Sequence, residues 1–205
     1  MRIEIPLYGA FDEVDAIGPF EVLSNAARAV EGVEVELVGA HGAGEVVAAH
    51  GMRVVCEHGL GDAADLVLVP GGGWGAPVAG AVFGTRREYD DGRLPARLRE
   101  LHDGGTVMTS VCTGALLLAK AGITAGRPAT THRAALEDLR ATGADVDAVA
   151  RVVDDGDLLT CGGVTSGLDL AIHLVAREWG ADLAGRIADL MEHEPRGPVR
   201  ATQAT

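Results

Sequence analysis

Cys112 is the residue in this chain best placed to do covalent chemistry. It follows an apolar run, Thr106 to Val111, that reads as a buried strand. After Thr113-Gly114 comes a helical run, Ala115 to Ala121, closed by Gly122. A cysteine on a strand-to-helix turn sits over the free N–H groups of the helix start. Those donors and the helix dipole favour the thiolate, which is the nucleophilic form. Ser110 and Gly114 flank it two positions away, the small-residue spacing of a serine-centred nucleophile elbow. The alternative is a small buried hydrophobe, the usual lot of a free cysteine.

A nucleophilic sulfur needs a proton acceptor and donors for developing charge, and three groups qualify. Asp15, just past the first strand, is a candidate acid/base partner; its alternative role is a helix-start carboxylate answering the dipole. Neighbouring Asp12 and Glu13 read as such solvated acids. The glycine run Gly71-Gly72-Gly73 follows another apolar strand, so that Gly72 and Gly73 are candidate backbone donors beside the Thr113 N–H. Gly71-x-Gly73-x-x-Ala76 also matches a dinucleotide fingerprint, but Pro77 follows at once and Asp90 and Asp91 fall in a polar loop, so this match is weak. His132, at the junction of an extended piece and a helix, is a candidate auxiliary group; a structural helix-start role is the alternative. The remaining histidines are scattered without metal-ligand spacing, and neither a metal nor an organic cofactor is expected. Cys56 and Cys161 read as buried and inert.

The elements that must position these groups follow from periodicity. Strands are expected at Arg2–Tyr8, Val33–Ala40, within Val46–Cys56 as one or two short pieces, and at Asp65–Val69. A hairpin is expected over Arg151–Thr160 with Asp155-Gly156 at its turn. Helices are expected at Asp15–Val30, Leu94–His102, Ala134–Ala141, Val164–Trp179 and Leu183–Glu192. Strands alternating with helices define an α/β class: one three-layer, doubly wound domain, flavodoxin-like, its mostly parallel sheet covered by helices on both faces. That domain is expected over residues 1–192, with 193–205 a flexible tail. In such a sheet ligands bind beyond the carboxyl ends of the strands, the address shared by Asp15, the glycines and Cys112.

Bulk composition narrows the function. The chain carries 17 basic and 30 acidic residues, net −13, with no Lys/Arg cluster, which argues against nucleic acid or an anionic membrane as partner. With 47% hydrophobic but only 3% aromatic residues, the core must come from Ala, Val, Leu and Ile. An odd cysteine count without close pairing suits a reducing compartment, and the charged, strand-like opening is not expected to act as a secretory leader. The expected location is the cytoplasm.

These residues in this order resemble the ThiJ/PfpI superfamily, within the class I glutamine amidotransferase-like fold. The resemblance rests on Gly9-Ala-Phe-Asp-Glu-Val-Asp15 with Gly18-Pro-Phe-Glu-Val-Leu23, Leu68-Val-Pro-Gly-Gly-Gly73, Ser110-Val-Cys-Thr-Gly114, Thr130-Thr-His132 and Leu159 to Ala171. Asp15 with Cys112-Thr113 and the Gly-Gly-Val-Thr-Ser-Gly segment is similar to the isonitrile hydratase branch. It is also similar to the amino-terminal domains of AraC-type regulators. The resemblance implies Cys112 as nucleophile, Asp15 as proton carrier, Thr113 as a positioning group, a homodimer and a small-molecule substrate. It implies hydration of an isocyano group to an N-substituted formamide. Other cysteine-dependent chemistry of the superfamily (glyoxalase or deglycase, amidase, peptidase) and a ligand- or redox-sensing role are the competing readings. Arg133 departs from the bulky residue that relatives carry after the histidine, which bears on the substrate class.

Overall fold

A computed structural model of the chain describes residues 1–75 and 83–202. Ala76 and Pro77 of the dinucleotide match, and the last three residues of the expected tail, lie outside that range.

Along the chain, β1 (Arg2–Leu7) leads to α1 (Glu13–Ala29) and β2 (Glu34–Gly39), then to a two-stranded hairpin, β3 (Gly44–Val47) and β4 (Arg53–Cys56). β5 (Leu66–Val69) precedes α2 (Thr85–Asp91), α3 (Arg93–Asp103), β6 (Val107–Ser110) and α4 (Gly114–Lys120). A second small sheet pairs β7 (Pro128–Ala129) with β8 (Asp145–Val146). Between them lie a 3-10 turn at Arg133–Ala135 and α5 (Leu136–Ala141). β9 (Val152–Asp154) and β10 (Leu158–Cys161) form the expected hairpin, followed by α6 (Ser166–Trp179), α7 (Ala181–Leu190) and β11 (Val199–Ala201).

The seven-stranded sheet runs β11-β9-β10-β6-β5-β1-β2. Its parallel strands, β2, β1, β5, β6 and β10, follow the flavodoxin-like order. The apolar runs explain the burial: Leu66 to Val69 and Leu158 to Cys161 are inaccessible on both faces, as strands covered by helices must be. On one face α1 lies close to α6, because Gly167 leaves room for Pro19 and the Val111 side chain; an added Cβ there would meet Pro19 Cγ at 3.1 Å and Val111 at 3.2 Å.

Two expectations need correction. Asp90 and Asp91 belong to the last turn of α2, not to a polar loop; the segment Thr-Arg-Arg-Glu-Tyr-Asp-Asp is charged almost throughout and offers no apolar periodicity. Of the stretch read as a flexible tail, the part from His193 to Ala201 is docked. Val199–Ala201 adds a parallel edge strand on β9, and His193 Nε2 and the Arg196 N–H bind the buried Asp169 carboxylate at 2.9 and 3.0 Å.

Candidate active site

The site is built at the ends of five strands, β1, β5, β6, β7 and β10. After β6 the chain turns at Cys112 with φ of +57°, a left-handed conformation that a residue with a Cβ enters only when its surroundings enforce it. The enforcement is visible: the Cys112 N–H donates to Gly162 O at 3.0 Å, the Thr131 hydroxyl donates to Cys112 O at 2.7 Å, and α4 begins at Gly114. Gly114 must be glycine, since an added Cβ would collide with the Val69 and Pro70 carbonyls.

After β1, Asp12 caps α1 by accepting the Val14 N–H at 3.2 Å, and its own N–H donates to Gly71 O at 2.9 Å. That stitch, with the Phe11–Gly72 bridge, brings Asp15 in the first turn of α1 over the glycine run. Asp15 is completely buried. Its Oδ2 accepts the Gly71 N–H at 3.0 Å, while Oδ1 is buried without a hydrogen-bond partner. The Cys112 thiol and the Val164 N–H face this carboxyl and favour its ionised form, though neither completes a hydrogen bond of full geometry to Oδ1. Burial and the nearby Asp12 charge outweigh them and raise the Asp15 pKa to about 7.

The same burial, reinforced by the Asp15 charge, pushes the Cys112 thiol up to about 12. The Thr113 and Val164 N–H groups act in the opposite direction and are outweighed. The elbow therefore holds a resting thiol, not the thiolate expected from the helix-start donors alone. Sulfur and carboxylate, two groups able to carry the same proton, lie side by side at the edge of the cavity.

Gly71 is the hinge of this arrangement. A Cβ there would lie 2.7 Å from Asp15 Oδ2, 2.7 Å from Thr113 N and 2.8 Å from Thr113 Oγ1. The Gly72 N–H, expected to be a free donor, instead donates to Thr113 Oγ1 at 3.0 Å, and the Thr113 hydroxyl lies 3.0 Å from Gly72 O. Thr113 thus clamps the glycine run rather than Asp15. Behind it runs a buried hydroxyl chain: Thr113 to Thr85 at 3.0 Å, Thr85 to Tyr8 at 2.9 Å, and Tyr8 donating to Pro70 O at 2.6 Å. Gly73 lies under Phe83, and its carbonyl accepts the Arg86 N–H at 3.0 Å; it does not line the cavity at Cys112.

That cavity, of about 310 Å³, is walled by Cys112, Thr113, Gly72, Trp74, His132 and Val164, with Asp12 at its edge. His132 is therefore brought to the site. Its Nδ1 accepts the Ala134 N–H at 3.2 Å and caps the 3-10 turn, which leaves the proton on Nε2. In that tautomer His132 offers a donor and has no free base.

Four contributors were not assigned to the site from the sequence. Val164, at φ of +47°, aims its N–H at the Cys112–Asp15 pair; a β-branched residue is the last type expected in a left-handed turn. Tyr8 and Thr85 join the site only through the fold. Asp12, set aside as a solvated acid, caps α1 and raises the pKa of Asp15.

Among the described residues, one group has metal-ligand geometry: ligand atoms of His41, Glu88 and Asp91 lie within 4.8 Å of one another. His41 Nε2 is 2.7 Å from Glu88, and Asp91 is held by Arg93 at 2.7 Å. It includes no residue of the Cys112 cavity. No helix among the described residues is long and apolar enough to cross a membrane.

A strained cysteine elbow facing a buried acid at the carboxyl edge of a flavodoxin-like sheet defines a class of protein, and sequence comparison agrees: the chain belongs to the DJ-1/PfpI family, whose sequence profile matches residues 1–177. Among its relatives, isonitrile hydratase from Pseudomonas putida is 30% identical over 200 residues, which are 97% of this chain and 81% of that protein. The HTH-type transcriptional regulator GlxA of Rhizobium meliloti is 30% identical over 172 residues, 80% of this chain but 50% of the regulator. A solved structure, a ThiJ/PfpI family protein from Pseudomonas syringae, matches with a TM-score of 0.82 at 26% identity over 96% of this chain and 76% of that one.

Proposed function

We propose that the protein is an isonitrile hydratase-type lyase, adding water to an isocyano group to give an N-substituted formamide. The observation that carries this reading is the buried Cys112–Asp15 pair, a neutral thiol beside a carboxyl poised near pH 7. An isocyano carbon takes both a nucleophile and a proton at the same atom. A thiol and a carboxylate sharing one proton match that demand, and no metal or organic cofactor enters.

In the first step the Asp15 carboxylate takes the thiol proton as sulfur bonds to the isocyano carbon. Asp15 then returns that proton to the same carbon, giving a thioimidate. In the second step water adds to the thioimidate carbon, and its proton passes through Asp15 to nitrogen. Collapse of the tetrahedral adduct breaks the C–S bond, restores the thiol proton and releases the formamide. The Thr113 and Val164 N–H groups stabilise charge on sulfur as it attacks and leaves. The His132 Nε2–H is available to orient water. Thr113, through Gly72, keeps the glycine run in register with Asp15.

Likeness to isonitrile hydratase across 97% of the chain supports this reading. Likeness to the GlxA regulator favours a second one, a domain that binds a small molecule without converting it. Incubation with cyclohexyl isocyanide separates them: N-cyclohexylformamide forms with the wild type and is absent with Cys112→Ala. Binding of isonitriles without product supports the sensor instead. A homodimer and a cytoplasmic location belong to the same proposal, and light scattering in solution checks the first.

A further inference from the structure

We infer that the cavity adjoining the Cys112 pocket is an anion-binding subsite, so that the substrate carries a carboxylate or similar acidic group at the end of a short tail. This rests on the lyase reading above for the word substrate, but not for the subsite itself.

The second cavity, about 490 Å³, shares His132 and Val164 with the Cys112 pocket, so one wall separates and joins them. Its lining includes two arginines, Arg133 and Arg151, and not one acidic residue. In a chain with 30 acidic and 17 basic residues, that is the opposite of the overall balance. The two arginines are not equivalent. Arg151 binds the buried Asp169 carboxylate through Nε and the Thr165 hydroxyl through Nη2 at 3.0 Å, so its charge is already met. Arg133, exposed and adjacent in sequence to His132, makes no ion pair or hydrogen bond among the described residues, and its charge is uncompensated. The His132 proton sits on Nε2, which lies over Gly163 on the shared wall. Gly163 permits this: any Cβ there would overlap the imidazole.

A molecule with its isocyano carbon at Cys112 and its other end past His132 therefore enters a positive space. A planar guanidinium matches a carboxylate through paired N–H donors. An uncharged tail would leave Arg133 solvated and gain little. A cationic tail would meet repulsion.

The test compares ω-isocyanobutanoate with its carboxamide, which has the same shape and no charge. The expected kcat/KM favours the carboxylate by about tenfold, the size of one well-placed charged hydrogen-bonded pair. Arg133→Met brings the ratio down toward one, and Arg133→Lys restores part of it. A second arm needs no turnover. Iodoacetamide alkylation of Cys112, read by mass spectrometry, is followed with ω-formamidobutanoate or its carboxamide as protectant. The acid is expected to protect at about tenfold lower concentration, and Arg133→Met is expected to remove that advantage.

Turnover of both isonitriles with a ratio near one, unmoved in Arg133→Met, overturns the subsite and leaves the lyase reading standing. Charge-selective protection without any turnover upholds the subsite and sinks the lyase reading. Absence of both selectivities overturns the inference outright.

Discussion

Cys112 follows β6 and Cys161 ends β10, its parallel neighbour, and both are buried. They even share a carbonyl: Gly162 O accepts the Cys112 N–H at 3.0 Å and lies 3.5 Å from Cys161 Sγ. Burial raises the pKa of both thiols, and the Asp15 charge raises both further. Cys161 remains in the pleat of β10, its side chain inaccessible, and it lines neither the Cys112 pocket nor the cavity beside it. Cys112 leaves the pleat at φ of +57° and keeps 7% of its surface, enough to form the floor of a cavity. A lowered resting pKa is therefore not what separates the proposed nucleophile, Cys112, from Cys161. What differs is the backbone turn that lifts the Cys112 sulfur to a cavity, and the proposed role of Asp15 in taking its proton.

The sharpest way to break that comparison is to remove the carboxyl's charge. Asp15→Asn is expected to lower turnover of an isonitrile by about 10²- to 10⁴-fold, the usual weight of a positioned proton carrier. Yet the same change removes the charge that raises the thiol pKa, so the pH midpoint of iodoacetamide labelling at Cys112 is expected to fall. More thiolate with less catalysis would mark Asp15 as proton carrier; equal loss of labelling and turnover would mean that the substitution merely disrupts the site. In the wild type, kcat/KM is expected to rise through about pH 7 as Asp15 ionises. Stability moves the other way. A carboxyl whose folded pKa lies near 7 and whose unfolded pKa lies near 3.8 contributes stability that is full below the unfolded value and lost as pH rises through the folded one. The shift corresponds to on the order of 4 kcal/mol, so unfolding curves of Asp15→Asn should gain on the wild type by a few kcal/mol between about pH 4 and about pH 7.

A smaller effect is expected where the carboxyl is held rather than removed. Gly71→Ala puts a methyl 2.7 Å from Asp15 Oδ2, on a completely buried side chain, and 2.7 Å from Thr113 N, a backbone atom at the start of α4. Displacing either by a fraction of an ångström is expected to cost about a hundredfold in kcat/KM and about 1–3 kcal/mol in stability. Gly9→Ala, with open space around the added carbon, is the control and should leave both within error. Similar losses in the two variants would mean that the loop tolerates neither, and that Gly71 has no special bearing on Asp15.

How far this contrast was legible in the sequence depends on the range of the interactions. The elbow was readable because strand, cysteine, small residues and helix lie within one short stretch, and the Asp155-Gly156 turn because Gly156 supplies the positive φ of 81° that such turns demand. The strand-end address of Asp15 and Gly71 followed from topology. The hydroxyl chain Tyr8–Thr85–Thr113 was not readable, since its members are brought together only when β1, α2 and the elbow pack. Val164 gave no sign because its left-handed turn contradicts its β-branched type. The engagement of Gly72 by Thr113, which removes an expected donor, is likewise a tertiary event. β11 escaped because its pairing to β9 is anchored by distant Asp169, not by a periodic apolar run of its own.

The smallest effect belongs to the other cysteine. Cys161→Ala deletes a buried sulfur and its weak S–H donation to Gly162 O, and is expected to cost about 1 kcal/mol, mostly by lost packing. Its side chain meets no substrate and moves no proton, so turnover should stay within about twofold of the wild type, and iodoacetamide should still add once, at Cys112. The backbone supplies the reason: Cys161 is paired to Val152 and the next N–H, of Gly162, donates to Arg151 O at 3.0 Å, so replacing the side chain leaves Gly162 O in place to hold the Cys112 N–H. A turnover loss approaching that of Cys112→Ala, without a matching fall in thermal stability, would mean that the second sulfur takes part in the chemistry. The turn at Cys112 would then explain only half of the difference between two thiols that share one carbonyl.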